Sequence, residues 1–310
     1  MPLFTNFLSA WYVNIIGFFT MKGLRQLYRF FIFTNILIAL AALAQCYLTY
    51  MILDNAANPY ILLIEGCSTL LLYNFSLYLS KPKNPNHSPY ERTRWVFSHM
   101  GLFWTCNISA LLVIAYSLLH VHIYTLIYLF FVGVVSVSYS FPFFKINGKR
   151  VGLRQITGVK LFYIALVWSL SSVGLPVVEM WAEGVSIDWW VANYLGLLKI
   201  LFLLICTLPF DIRDMEQDSY YHLRTIPHIL GERRAILACY GMVLLHTFLI
   251  LLSPYAFAIK SGLVLTNLLM LCAMYFLIFR NIRKYHQVYL LDFALIVQCI
   301  VTYAFTILIT

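Results

Sequence analysis

Leu208-Pro209-Phe210-Asp211-Ile212-Arg213-Asp214-Met215-Glu216-Gln217-Asp218 closes a long apolar run and leads into Arg224-Thr225-Ile226-Pro227-His228-Ile229-Leu230-Gly231. Asp211, Asp214 and Asp218 stand at i, i+3 and i+7, which puts all three on one face if the preceding helix continues through them. Carboxylates so placed repel one another unless a cation sits among them. Oxygen ligands of this hardness suit Mg²⁺, which is commonly held by a few carboxylates together with substrate phosphates. The stretch reads either as a magnesium site for phosphate or diphosphate chemistry or as a solvated acidic loop behind a membrane helix.

The rest of the chain decides the setting. Of its 310 residues 62% are hydrophobic and 11% charged, and the mean hydropathy is +0.82. A soluble domain is about half apolar and a quarter charged, so a polytopic membrane protein is expected. Runs able to cross about 30 Å of hydrocarbon lie near 28–53, 59–80, 95–118, 121–141, 156–177, 188–210, 235–253, 257–279 and 288–309. The expectation is an all-α bundle of about nine transmembrane helices forming one integral domain over 1–310. Thr5 to Met21 is apolar and aromatic and could lie in the interface; no basic start precedes it, so no cleavable signal is expected.

Basic residues fall into alternate loops: Lys22, Arg25 and Arg29; Lys81, Lys83, Arg92 and Arg94; Lys145, Lys149, Arg150 and Arg154; Arg213, Arg224, Arg233 and Arg234; Arg280, Arg283 and Lys284. The positive-inside rule then places the N-terminus in the cytoplasm and Thr310 outside, as in a bacterial inner membrane. The net charge of +9 follows from this topology and from anionic headgroups, and calls for no nucleic-acid partner. The seven cysteines lie inside the spans without paired spacing and read as small apolar core residues.

The two longest cytoplasmic loops, about 81–94 and 211–234, cap the expected site. Each follows a span running outside to inside, which suggests an internal repeat. In it, Asn74, Tyr78 and Lys81, at i, i+4 and i+7, face the acidic triad from the end of span two.

In these residues the chain resembles the UbiA-type intramembrane prenyltransferase family. Asp211 to Gly231 fits that family's second Asp-rich motif, Asp-x-x-Asp-x-Glu-x-Asp followed by Arg-Thr-Leu-Pro and Leu-Gly, and Tyr139-Ser140-Phe141-Pro142 at the end of span four agrees with it. The resemblance implies a prenyl diphosphate donor, a hydrophobic aromatic or lipid acceptor, and Mg²⁺ on Asp211, Asp214 and Asp218. The family's first motif is Asn-x-x-x-Asp-x-x-x-Asp. Here Asn74 is kept, Tyr78 replaces one acid, Pro82 falls at the other, and His222 replaces a usual glycine. Lys81 and Lys83 could supply the charge of a missing metal, or could anchor the loop at anionic lipid.

Arg154, Lys160 and Arg224 are candidates for the diphosphate leaving group. Tyr78, Tyr139, Phe141 and Tyr163 are candidates to shield a carbocation, although packing accounts for aromatics equally well. Asn35 is read as an interhelical hydrogen-bonding group. Glu65 and Lys199 sit at similar heights and are expected to approach as a structural pair; with Asp292 they would instead favour a transporter if they lined a water-filled path. His222 and His228 read as ordinary loop residues. The alternatives to a prenyltransferase are a non-catalytic relative that binds isoprenoid diphosphate and a small-molecule transporter.

Overall fold

The structure, a computed structural model, describes residues 23, 25–138, 144–146, 149–151, 158–220, 225–281 and 289–309. Every apolar run expected from the sequence is mainly helical over its described residues. The first is divided between α1 (Arg25–Phe33) and α2 (Ile36–Ile52); α3 (Pro59–Leu79) is the second. The third is divided between α4 (Glu91–Ser98) and α5 (Met100–Ser117), and the fourth is α6 (Ile123–Ser138). A short antiparallel hairpin, β1 (Phe144–Ile146) with β2 (Lys149–Val151), pairs Phe144 with Val151. The fifth comprises α7 (Val159–Ser169) and α8 (Leu175–Ala182), and the sixth is α9 (Trp189–Arg213). After α10 (Met215–Tyr220) and α11 (Ile226–Leu230) come α12 (Glu232–Leu252), α13 (Phe257–Ala273) and α14 (Leu290–Ile309).

Among the described residues seven helices are long and apolar enough to span a membrane, or eight with the α1–α2 pair counted as one span. The expected nine is therefore the number of apolar helical segments. The ninth, α6, has 16 described residues, short of the ~20 a full crossing needs. Among the described residues, α9 has the largest share of its apolar window buried, and it packs on α7 and α12. Phe202, Leu203, Ile205 and Leu208 anchor its core with Ala165, Cys239, Met274 and Leu295.

Two breaks have local causes. Between α1 and α2 the axis turns by 65° at Asn35, whose φ of 66° lies in the left-handed region, which asparagine enters more readily than other side chains. Its amide fixes the bend by donating to Asn74 Oδ1 at 2.8 Å and accepting from Arg92 at 2.5 Å.

Between α7 and α8, Leu170–Gly174 forms a π-helical turn. Pro176 has no N–H to offer the Ser172 carbonyl four residues back, and Thr49 Oγ1 donates to that carbonyl instead, at 2.7 Å. The Tyr128 hydroxyl satisfies the Leu170 carbonyl at 3.0 Å. Tyr128 comes so close that a Cβ on Gly174 would lie 2.0 Å from its hydroxyl. The wide turn is thus held from outside, as such turns require.

Candidate functional site: two aspartates, one lysine and an apolar cavity

The acidic stretch does not continue as one helix. The α9 helix ends at Arg213, with Asp214 as its C-cap, and α10 restarts at Met215. The single face expected for the three aspartates is therefore split. Asp211 is buried on α9 and accepts from Lys160 Nζ at 2.7 Å. Asp218, on α10, turns back to the same ammonium, with Oδ2 at 4.0 Å. Asp214 faces its neighbour: Arg213 Nε and a terminal guanidinium nitrogen meet its two oxygens at 2.6 and 2.8 Å. Arg213 also lies 5.1 Å from the Phe210 ring centroid and 5.9 Å from that of Tyr289.

Asp218 Oδ2 is buried without a hydrogen-bond partner. Burial pushes this carboxyl above the usual carboxylate range, and Asp211 and Asp214 push it the same way, while Lys160 draws it back. The group lacks positive charge. Among the described residues no three Asp, Glu, His or Cys side chains are grouped to hold a metal ion. Two carboxylates are nevertheless a usual protein share for Mg²⁺ when substrate phosphates complete its shell. The orphaned Asp218 oxygen beside Asp211 fits that role; Asp214, already bound on both oxygens, does not join them.

His228, expected to be an ordinary loop residue, ties α10 in place. The Thr225 backbone N–H can only donate, so Nδ1 accepts from it at 3.2 Å; Nε2 then carries the proton and donates to the Met215 carbonyl at 3.0 Å.

Lys160 also opens onto a cavity of about 560 Å³ between α3, α6 and α7. Ser76, Ser136, Lys160 and Tyr163 line it at the motif end and Glu65, Ser68, Ser171 and Leu175 at the opposite end, with Leu72, Val132, Val167 and Trp168 among the walls. Tyr163, an expected aromatic candidate, keeps its ring on this cavity while its hydroxyl donates to the Val135 carbonyl at 2.6 Å. Trp168, Ser68 and Ser171 are cavity residues that the sequence did not single out, and Glu65 was singled out for a different role. A signal was present: Glu65, Ser68, Thr69 and Ser76 share one stripe of α3 at i, i+3, i+4 and i+11, and Lys160, Tyr163, Val167 and Ser171 share one stripe of α7 and the turn that follows it.

Other expected residues lie elsewhere. Asn74 is buried and held by Asn35, with its own amide nitrogen unpartnered. Tyr78 is exposed, 6.3 Å from Phe103 and 5.8 Å from Trp104 between ring centroids, on an apolar groove between α3 and α5. Lys81 is exposed with its ammonium 5.3 Å from the Phe97 ring centroid, and is not among the side chains lining the cavity. Tyr139, Phe141, Arg154, His222 and Arg224 lie outside the described residues.

Glu65 and Lys199 do not form the expected pair. Glu65 accepts from Ser171 Oγ at 2.8 Å, while Lys199 donates to the carbonyl and side-chain oxygens of Gln45 at 2.9 and 2.7 Å. Neutral partners satisfy each separately. Lys199 borders a different void of about 10 Å³, so the two do not line one path.

No protein-family model matches the sequence, and no curated protein sequence matches it. Solved structures do. A UbiA homolog from Aeropyrum pernix K1 is 14% identical with a TM-score of 0.62, covering 87% of this chain and 97% of that one. A UbiA homolog from Archaeoglobus fulgidus bound to GPP and Mg²⁺ is 12% identical with a TM-score of 0.55, covering 88% and 96%. A digeranylgeranylglyceryl phosphate synthase is 14% identical with a TM-score of 0.51, covering 91% and 98%. The helical membrane bundle described here has the UbiA-type fold.

Proposed function

We propose that this protein is an intramembrane prenyltransferase that moves a prenyl group from its diphosphate to a hydrophobic aromatic or lipid acceptor. One observation carries the reading: Asp211, Asp218 and Lys160 converge where an apolar cavity begins. The apolar walls suit a prenyl chain, and the charged end suits its diphosphate. Mg²⁺ is the proposed cofactor. Bound to the diphosphate, it would supply charge stabilisation to the leaving group.

The chain's own residues do the rest. Asp211 and Asp218 would hold the cation. Lys160, a point charge with three rotatable donors, would follow the diphosphate as negative charge builds on it. Tyr163 lines the cavity one turn from Lys160, where its ring would shield positive charge on the prenyl carbon, and the apolar walls, Trp168 among them, keep out water that would intercept it. Arg154, Arg224 and Tyr139 remain proposed contributors from the adjoining segments, and Asn74 is proposed to use its unpartnered amide nitrogen toward the diphosphate. On this reading the protein would lie in the bacterial inner membrane with its N-terminus and this site cytoplasmic, which the alternation of basic loops supports. We treat the chain as one integral domain.

A second reading is favoured by Tyr78. It stands where the family has an acid and faces an apolar groove, which supports a relative that binds isoprenoid diphosphate without turning it over. The test is diphosphate release from farnesyl diphosphate by the purified protein, with and without Mg²⁺, beside D218N. Release that requires both supports transfer chemistry. Mg²⁺-dependent binding without release supports the second reading, and neither binding nor release removes both.

A further inference from the structure

The cavity has a second polar end that the chemistry at Lys160 does not use. Glu65 is 2% exposed, and that exposure faces the cavity. One of its oxygens is held by Ser171 Oγ at 2.8 Å, and Ser68 and Thr69 line the cavity beside it. Lys160 and Ser171 are eleven residues apart in α7 and the turn that follows, which separates them by about 16 Å along the axis at a helical rise of roughly 1.5 Å per residue. Glu65 therefore lies out of reach of a reacting carbon held beside Lys160.

Resting on the prenyltransferase reading above, we propose that Glu65, fixed by Ser171, is a polar floor that limits the length of the prenyl chain this cavity accepts. With carbon–carbon bonds of roughly 1.5 Å, an extended isoprene unit advances about 5 Å, so about three units fill the distance from Lys160 to Ser171. A farnesyl chain ends short of the carboxyl. A geranylgeranyl chain presses its hydrocarbon terminus against it. That contact strips water from a buried polar group and returns no hydrogen bond, which is unfavourable in any protonation state. The discrimination is set by the floor and not by the width of the walls.

The experiment compares binding of farnesyl, geranylgeranyl and inorganic diphosphate to the full-length protein in nanodiscs with Mg²⁺, read by quenching of tryptophan fluorescence, for wild type, E65Q and E65L. Wild type should prefer farnesyl over geranylgeranyl diphosphate by about tenfold. E65Q, which keeps a polar floor, should retain the preference, and E65L should lose it by gaining affinity for the longer chain. Equal affinity for the two chains in wild type would overturn the proposal, as would an unchanged preference in E65L. The wild-type ratio decides even where E65L fails to fold. If neither prenyl compound binds more tightly than inorganic diphosphate, the prenyltransferase reading itself fails and the length limit falls with it.

Discussion

Lys160 and Asp211 join α7 to α9 through a 2.7 Å ion pair in which the aspartate side chain is buried and the lysine side chain is about three-quarters buried. Removing one partner from such a pair leaves an uncompensated charge, whereas removing both does not. K160A should lower thermal stability in detergent by about 1–3 kcal/mol, and K160A/D211N should recover most of that loss. The double-mutant cycle, read from melting curves at fixed detergent and salt, checks this. Additive losses would mean that the two groups are independently solvated.

Asp214 is set apart from Asp211 and Asp218 by the Arg213 clamp. Under the proposed function, D211N and D218N should each reduce Mg²⁺-dependent diphosphate release by about 100-fold. D214N should cost less than about tenfold, because Asp214 acts on the site by charge and not as a ligand. Mg²⁺ titrations of the three variants decide it. Equal losses would restore a three-carboxylate site.

Asn35 combines a left-handed backbone with two side-chain bonds, and the two roles can be separated. N35A should destabilise by about 2–3 kcal/mol, from backbone strain together with the lost partners of Asn74 and Arg92. N35G removes the strain alone, so it should recover about 1 kcal/mol of that. A glycine variant as unstable as the alanine one would mean that the bend carries no strain.

Gly174 leaves room for Tyr128 at the wide turn. G174A forces the tyrosine ring aside and should cost about 1–3 kcal/mol. G174A/Y128A should lose less than the sum of its single variants, a coupling that thermal denaturation measures directly.

The residues explain how far the sequence could be read. Apolar length was enough to find every long apolar helix, because a membrane leaves few other ways to satisfy a backbone. The acidic motif pointed to the candidate site. Its geometry was not legible, because a C-cap at Asp214 turns i, i+3, i+7 from one face into two, and nothing in residue type announces that a helix stops there. The break at Asn35 depends on a φ value that sequence does not print. Glu65 and Lys199 were matched by height and opposite sign, yet each found a neutral neighbour, Ser171 or Gln45, that comes from a helix remote in sequence. Periodicity would have served better than charge: the stripe from Glu65 to Ser76 marks the cavity wall, and a polar stripe on an otherwise apolar membrane helix asks for a polar neighbour.

The wide turn at Leu170–Gly174 holds one residue more than an ordinary helical turn does. The extra residue is absorbed inside the turn, so α8 leaves it in nearly the facing that α7 set. Deleting one residue within 170–174 would remove the surplus and leave Leu175 and the far wall where they are, with Lys160 still beside the aspartates. What it would disturb is the pair of carbonyls, Leu170 and Ser172, that Tyr128 and Thr49 hold from outside. The turn is therefore a buffer in chain length: this run carries one residue too many without passing the excess on to either end of the cavity.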